Sequence, residues 1–139
     1  MPRYDAPVRD MQFILHEVLQ LQNYSNLPGF EDATPDLIDA ILEESGKFAK
    51  EVLFPLNHVG DVQGCKRNDD ASVKTPDGFP EAFNMLVENG WPLLTKDPAM
   101  GGQGLPQVVG LAWGEMISSA NMAFGMYPGL TGGAYEALM

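Results

Sequence analysis

Three observations predict an all-α fold. Apolar side chains recur at helical spacing in successive segments. Thr34-Pro35-Asp36 is a helix start: a hydroxyl to cap, a proline at the first position and an acid in the first turn. Between two strongly helical segments, Gly90 and Pro106 bracket a loop, because glycine accepts the left-handed conformation past a helix end and proline is pre-set for a first turn. With 139 residues, of which 45% are hydrophobic, the chain is long enough to bury a core and too apolar to stay disordered.

The first helix is expected over residues 7–22. Val8, Met11, Leu15, Val18 and Leu19 form its stripe, Ile14 and Leu21 widen it, and Asp5 is the candidate cap. His16 beside Glu17 does not have the two-histidine spacing of a zinc helix. Asn23 to Asp32, with Pro28-Gly29, reads as a loop. From Thr34, the positions Ile38, Ile41, Leu42, Phe48, Ala49, Val52, Leu53 and Leu56 hold helical spacing, while Glu43, Glu44, Lys47, Lys50 and Glu51 take the wet face. Pro55 is expected to kink the last turn, with Asn57 and Gly60 closing the segment.

Residues 61–77 are polar and irregular. Asp69-Asp70 lacks the companion acids of a calcium loop, and Val73 to Gly78 reads as a turn. Pro80 opens a third helix, with Phe83, Leu86 and Val87 as its apolar side. The loop Gly101-Gly102-Gln103-Gly104 lacks the Lys-Ser/Thr of a P-loop and the third glycine of a dinucleotide fingerprint, so tight turning is favoured over a phosphate cradle. After it, Val109, Ala112, Trp113, Met116 and Ile117 make an apolar helix in which Glu115 is the exception, readable as a structural acid, an exposed one or a base. Asn121 is the candidate cap of the next segment, where Phe124, Pro128 and Thr131 share a face with Tyr127 at its edge, a stripe readable as core or as pocket wall. Thr131 is then expected to cap a last helix containing Tyr135, Glu136 and Leu138. That helix has no stop signal, so the chain is expected to be the front part of something longer.

Charge narrows the function classes. Nineteen acidic against eight basic residues give a net charge of −11, which disfavours nucleic acid and anionic membranes as partners. A single cysteine, Cys65, excludes a disulfide framework and a thiolate metal cluster, and makes the cytoplasm the expected compartment. No apolar run reaches the roughly 18 residues that span a bilayer. No Ser/His/Asp set, paired carboxylates or metal-ligand cluster is visible.

Resemblance adds what spacing does not. Tyr4-Asp5-Ala6-Pro7-Val8-Arg9-Asp10-Met11 through His16-Glu17-Val18-Leu19 resembles the N-terminal extension of the long bacterial acyl-CoA dehydrogenases, the branch that includes 3-methylmercaptopropionyl-CoA dehydrogenase. Pro55-Leu56-Asn57, Gly60-Asp61, Thr75-Pro76, Gly78-Phe79, Gly90-Trp91, Gly101 through Pro106 and Ser119-Ala120-Asn121-Met122 continue the match in the family's order. The resemblance implies an N-terminal helical extension over residues 1–32 and an incomplete N-terminal helical domain over residues 33–139. It implies the N-terminal part of an FAD-dependent oxidoreductase that removes two hydrogens from the α,β carbons of an acyl-CoA thioester in fatty acid metabolism. A glutamate takes the α-proton and FAD the β-hydride. Neither Glu115 nor Glu136 matches that glutamate, so the chain is expected to contain no catalytic residue, to be inactive alone and to retain no FAD. The segment Ala120 to Gly133 matches one wall of the acyl pocket, which makes Phe124, Tyr127, Pro128 and Thr131 the candidate substrate-binding residues. An acceptor of the electron-transfer flavoprotein type and a homo-oligomer are also implied. The other reading of the same residues is a free-standing helical module that binds a partner or acyl group without chemistry.

Overall fold

The computed structural model describes residues 3–139. Its organising helix begins where the sequence says it should. Thr34 is extended (φ −70°, ψ 151°), and its Oγ1 accepts a hydrogen bond from the Leu37 N–H at 3.4 Å. Helix α2 (Pro35–Phe48) passes through a π-helical turn (Ala49–Leu53) into α3 (Phe54–Gln63). Ile38, Ile41, Leu42, Phe48, Ala49 and Leu53 are buried, and Glu43, Glu44, Lys47, Lys50 and Glu51 are exposed, as the periodicity predicts. Pro55 does not end the run. It sits in the first turn after the π-turn, where a missing N–H is tolerated. The stop comes later than expected, at Gly64 (φ 60°). Gly60 is instead a packing glycine, since a Cβ there would lie 2.9 Å from the Phe79 ring.

The expected helix over residues 7–22 is shorter and less regular. Helix α1 (Val8–Phe13) runs into a π-turn (Ile14–Val18), where Leu19 N–H donates to Ile14 O at 2.8 Å. Gln20 then turns left-handed (φ 51°) and a 3-10 turn follows (Leu21–Tyr24). The i→i+5 turn shifts the phase of the apolar stripe. Met11, Leu15 and Leu21 therefore reach the core while Ile14, Val18 and Leu19 stay exposed. Asp5 is not the cap: its carboxylate pairs with Lys50 Nζ, and Pro7 occupies the cap position without a side-chain bond. Tyr4 Oη donates to Met116 O at 3.2 Å, fastening the N-terminal segment to a core residue 112 positions away.

Residues 61–77, read as irregular, contain a small antiparallel hairpin of β1 (Lys66–Arg67) and β2 (Val73–Lys74), with Arg67 opposite Val73. Two-residue strands are too short to show alternation. Helix α4 (Phe79–Glu88) buries Phe79, Ala82 and Leu86. The expected face of Phe83, Leu86 and Val87 is thus rotated, and Phe83 and Val87 are exposed.

Gly90 (φ 74°) opens the loop as predicted, and Trp91, Leu94 and Leu105 send their side chains into the core. Pro106 lies one residue outside helix α5 (Gln107–Leu138) rather than inside its first turn. That helix is 32 residues long but not continuous: Asn121 has φ −159° and ψ 88°, outside the helical region. Pro128 and Thr131 lie within the run, so Thr131 caps nothing. The helical elements share one apolar core, the hairpin lies exposed outside it, and no helix among the described residues is long and apolar enough to cross a membrane.

Candidate functional site

The glycine loop is filled by its own backbone. Gly101 N–H donates to Pro98 O, Gly102 N–H to Asp97 O, Gln103 N–H to Leu93 O, Gly104 N–H to Lys96 O and Leu105 N–H to Leu94 O, at 2.9–3.0 Å. No N–H from 101 to 105 is left to hold a phosphate, so the loop does not fit the pyrophosphate of a dinucleotide. Gly102 is required for a different reason: a Cβ there would collide with Lys96 O.

The bend at Asn121 makes the more distinctive feature. Asn121 is 1% exposed. Its Oδ1 accepts from Phe124 N–H at 3.0 Å, which is the capping role the sequence suggests, and its Nδ2 donates to Leu53 O at 3.2 Å. Residues 107–120 and 122–138 become two arms. They approach so closely that a Cβ on Gly125 would stand 3.2 Å from Ile117 Cγ2. Between the arms lies a groove of about 470 Å³, floored by Trp91 to Lys96 and lined with Gly110, Gly114, Gly125, Gly129 and Gly132. Trp91 and Trp113 stack within it (centroids 6.2 Å apart, 13° between planes), and Phe48 also stacks on Trp91 at 6.5 Å.

One end of the groove is clasped. Lys96 Nζ pairs with Glu136 Oε1 at 2.7 Å and lies 4.4 Å from the centre of the Tyr135 ring, while Asp97 N–H donates to Tyr135 Oη at 3.0 Å. These partners are about forty positions apart in sequence, so no local spacing announces them. The residues that did draw attention act differently. Glu115 is exposed, Glu136 belongs to the clasp, and His16 Nε2 meets Asp39 Oδ1 at 2.7 Å. Among the described residues no group of three or more His, Cys, Asp or Glu is placed to hold a metal.

The four candidate substrate-binding residues divide between two spaces. Pro128 and Thr131 line the groove between the arms. Phe124 and Tyr127 line a smaller one of about 310 Å³ with Thr75, Phe79, Phe83 and Asn84, and Phe83 touches both. Phe124 is fully buried and meets Phe79 edge-on at 5.7 Å. Tyr127 meets Phe79 at 6.1 Å, is partly exposed, and holds its Oη 3.6 Å from Cys65 Sγ. The bond to Cys65, then burial, then the thiol's charge push the Tyr127 hydroxyl above its ordinary pKa. In Tyr4 burial leads, with the charge of Glu115 adding to it.

No family model matches the chain. Curated proteins do. The chain is 39% identical over 97% of its length to 3-methylmercaptopropionyl-CoA dehydrogenase of Ruegeria pomeroyi. The chain resembles the N-terminal region of acyl-CoA dehydrogenases. It is also 32% identical over 95% of its length to a broad-specificity linear acyl-CoA dehydrogenase of Mycobacterium tuberculosis, and 32% identical over 94% to a butyryl-CoA dehydrogenase of Syntrophomonas wolfei. It spans under a quarter of these dehydrogenases, 22–23% of their length.

Proposed function

We propose that this chain is the N-terminal part of an FAD-dependent acyl-CoA dehydrogenase, with residues 1–32 as its extension and 33–139 as its helical domain. The observation that carries the reading is similarity along nearly the whole chain to several dehydrogenases, greatest among those named for the 3-methylmercaptopropionyl-CoA enzyme. That order favours 3-methylmercaptopropionyl-CoA, or a straight acyl thioester of like length, as substrate. Phe124, Tyr127, Pro128 and Thr131 then form one wall of the acyl pocket. Their support is the bent helix, which carries all four on one arm beside two apolar grooves.

FAD would accept the β-hydride of the acyl group. The glycine loop offers it no free N–H donor, and flavin binding and the α-proton base are proposed for the rest of the full-length enzyme. A cytoplasmic homo-oligomer that passes electrons to a flavoprotein acceptor completes the proposal. The test is an assay of the full-length polypeptide with FAD and an artificial electron acceptor. Turnover of 3-methylmercaptopropionyl-CoA or butyryl-CoA is expected, whereas the 139-residue chain alone should give none. A flavin-loaded full-length protein inactive on every straight-chain acyl-CoA would overturn the reading.

A further inference from the structure

Three features of α5 converge on one side chain. Its helix is broken only at Asn121, by a backbone conformation outside the helical region. The buried Asn121 amide uses both ends: Oδ1 starts the second arm at Phe124 N–H, and Nδ2 reaches Leu53 O. Leu53 is the last residue of the π-turn that precedes Pro55, and π-turns loosen the i→i−4 ladder so that a carbonyl can take an outside donor. A cap alone needs only the oxygen. The second bond, across 68 positions of sequence, references the direction of the second arm to the α2–α3 run.

That direction has a chemical consequence. The arm carries Phe124 and Tyr127 against Phe79, and Pro128 and Thr131 along the groove floored by Trp91 to Lys96. The arm contributes residues to both spaces, so its direction sets the width of each. The far end of the arm is already held by Lys96–Glu136 and by Tyr135, so its remaining freedom lies at the bend.

We propose that Asn121 is a specificity-determining positioning residue: by tying the bend of α5 to the Leu53 carbonyl it sets the depth of the acyl pocket, and hence the acyl length accepted. The inference rests on the acyl-CoA dehydrogenase reading and deepens it. Asn121 touches no substrate and acts through Phe124 and Tyr127.

The experiment uses the full-length, flavin-loaded enzyme with straight-chain acyl-CoAs from butyryl to dodecanoyl. Asn121→Ser keeps an oxygen for Phe124 N–H and loses the donor to Leu53 O; Asn121→Asp does the same in a longer side chain. Each should change the ratio of kcat/KM between short and long substrates by about tenfold, the low end of what one methylene is worth in an apolar pocket. A purely structural role predicts a lower unfolding midpoint with that ratio unmoved, so ratios unchanged in both variants overturn the proposal. Failure of both variants to fold also overturns it, because a specificity residue must tolerate retuning. A wild-type enzyme without any acyl-CoA turnover would instead sink the functional reading itself.

Discussion

The two arms of α5 have similar apolar composition and opposite fates. Residues 107–120 bury Val109, Met116, Ile117 and Ala120 against the rest of the core. Beyond the bend only Phe124 is fully buried, while Met122, Met126, Leu130 and Leu138 face outward, Leu130 at 76% exposure. Hydropathy is therefore no guide to which arm holds the fold together. The first arm packs on α2, where Ser45 Oγ lies 3.2 Å from the Met116 sulfur. The second is anchored at Asn121, Phe124 and the Lys96 clasp and presents an apolar face between those points. An exposed apolar stripe of this kind favours association, so it suits a surface that another part of a larger protein covers.

The largest losses are expected where each arm enters the core. Phe124→Ala should cost about 3–5 kcal/mol, and Met116→Ala about 2–5 kcal/mol, because each leaves a cavity in packed surroundings. Leu130→Ala should stay within about 0.5 kcal/mol. Urea denaturation followed by circular dichroism reads all three. A Leu130 variant as damaging as the Met116 variant would mean the second arm is packed after all.

Alanine at two glycines of α5 should act with opposite sign, according to the packing around each. In the first arm, a Cβ on Gly110 would stand 2.7 Å from Thr95 Cγ2, whereas in the second nothing lies within 4 Å of the Cβ position of Gly129. Gly110→Ala should therefore destabilise by about 1–3 kcal/mol, in the range of an overpacked site. Gly129→Ala should stabilise by about 0.4–1 kcal/mol, since alanine restricts the unfolded chain and suits a helix. Melting temperatures moving in the same direction for both would contradict the difference in packing at these two positions.

Smaller still is the clasp. Glu136 is largely exposed although the Lys96 side chain is 14% exposed, so solvent screening limits the pair. Glu136→Gln should cost no more than about 1 kcal/mol and lose its effect in high salt. An undiminished loss at high salt would show a pair screened far less than its exposure implies.

The least effect is on titration. The Tyr127 hydroxyl is raised by Cys65, so the neutral phenol is favoured in the folded state. Its stabilising contribution is complete below the ordinary tyrosine pKa and is lost as pH rises through the higher folded value. In ultraviolet titration, Cys65→Ala should bring one tyrosine ionisation to lower pH. An unchanged curve would remove the Cys65–Tyr127 contact from consideration.

Much of this molecule is local and so was legible along the chain. Thr34 caps, Gly90 turns, Asn121 caps and the α2 stripe buries because each depends on neighbours within one helical turn. The errors have a common cause. A π-turn delayed the phase of α1, so Val18 and Leu19 missed the core, and α4 rotated to Phe79 and Ala82 because Phe79 packs on Gly60 and Phe124. Apolar periodicity says that a face exists, but the partner across the core chooses which one.

The candidate site divides in the same way. One helix arm carrying Phe124, Tyr127, Pro128 and Thr131 was visible as spacing; their distribution over two grooves was not. Sequence alone determined that the segments are helical, the start at Thr34 and the acidic composition, since these follow from backbone sterics, a capping bond and residue counts. Tertiary structure decided the bend tied to Leu53, the Trp91–Trp113 stack, the Lys96–Glu136 clasp and the Cys65–Tyr127 contact. Each joins residues some twenty to seventy positions apart. Such pairs become neighbours only when burial of the shared core closes the loops between them, and no feature of either partner's own segment reports that event.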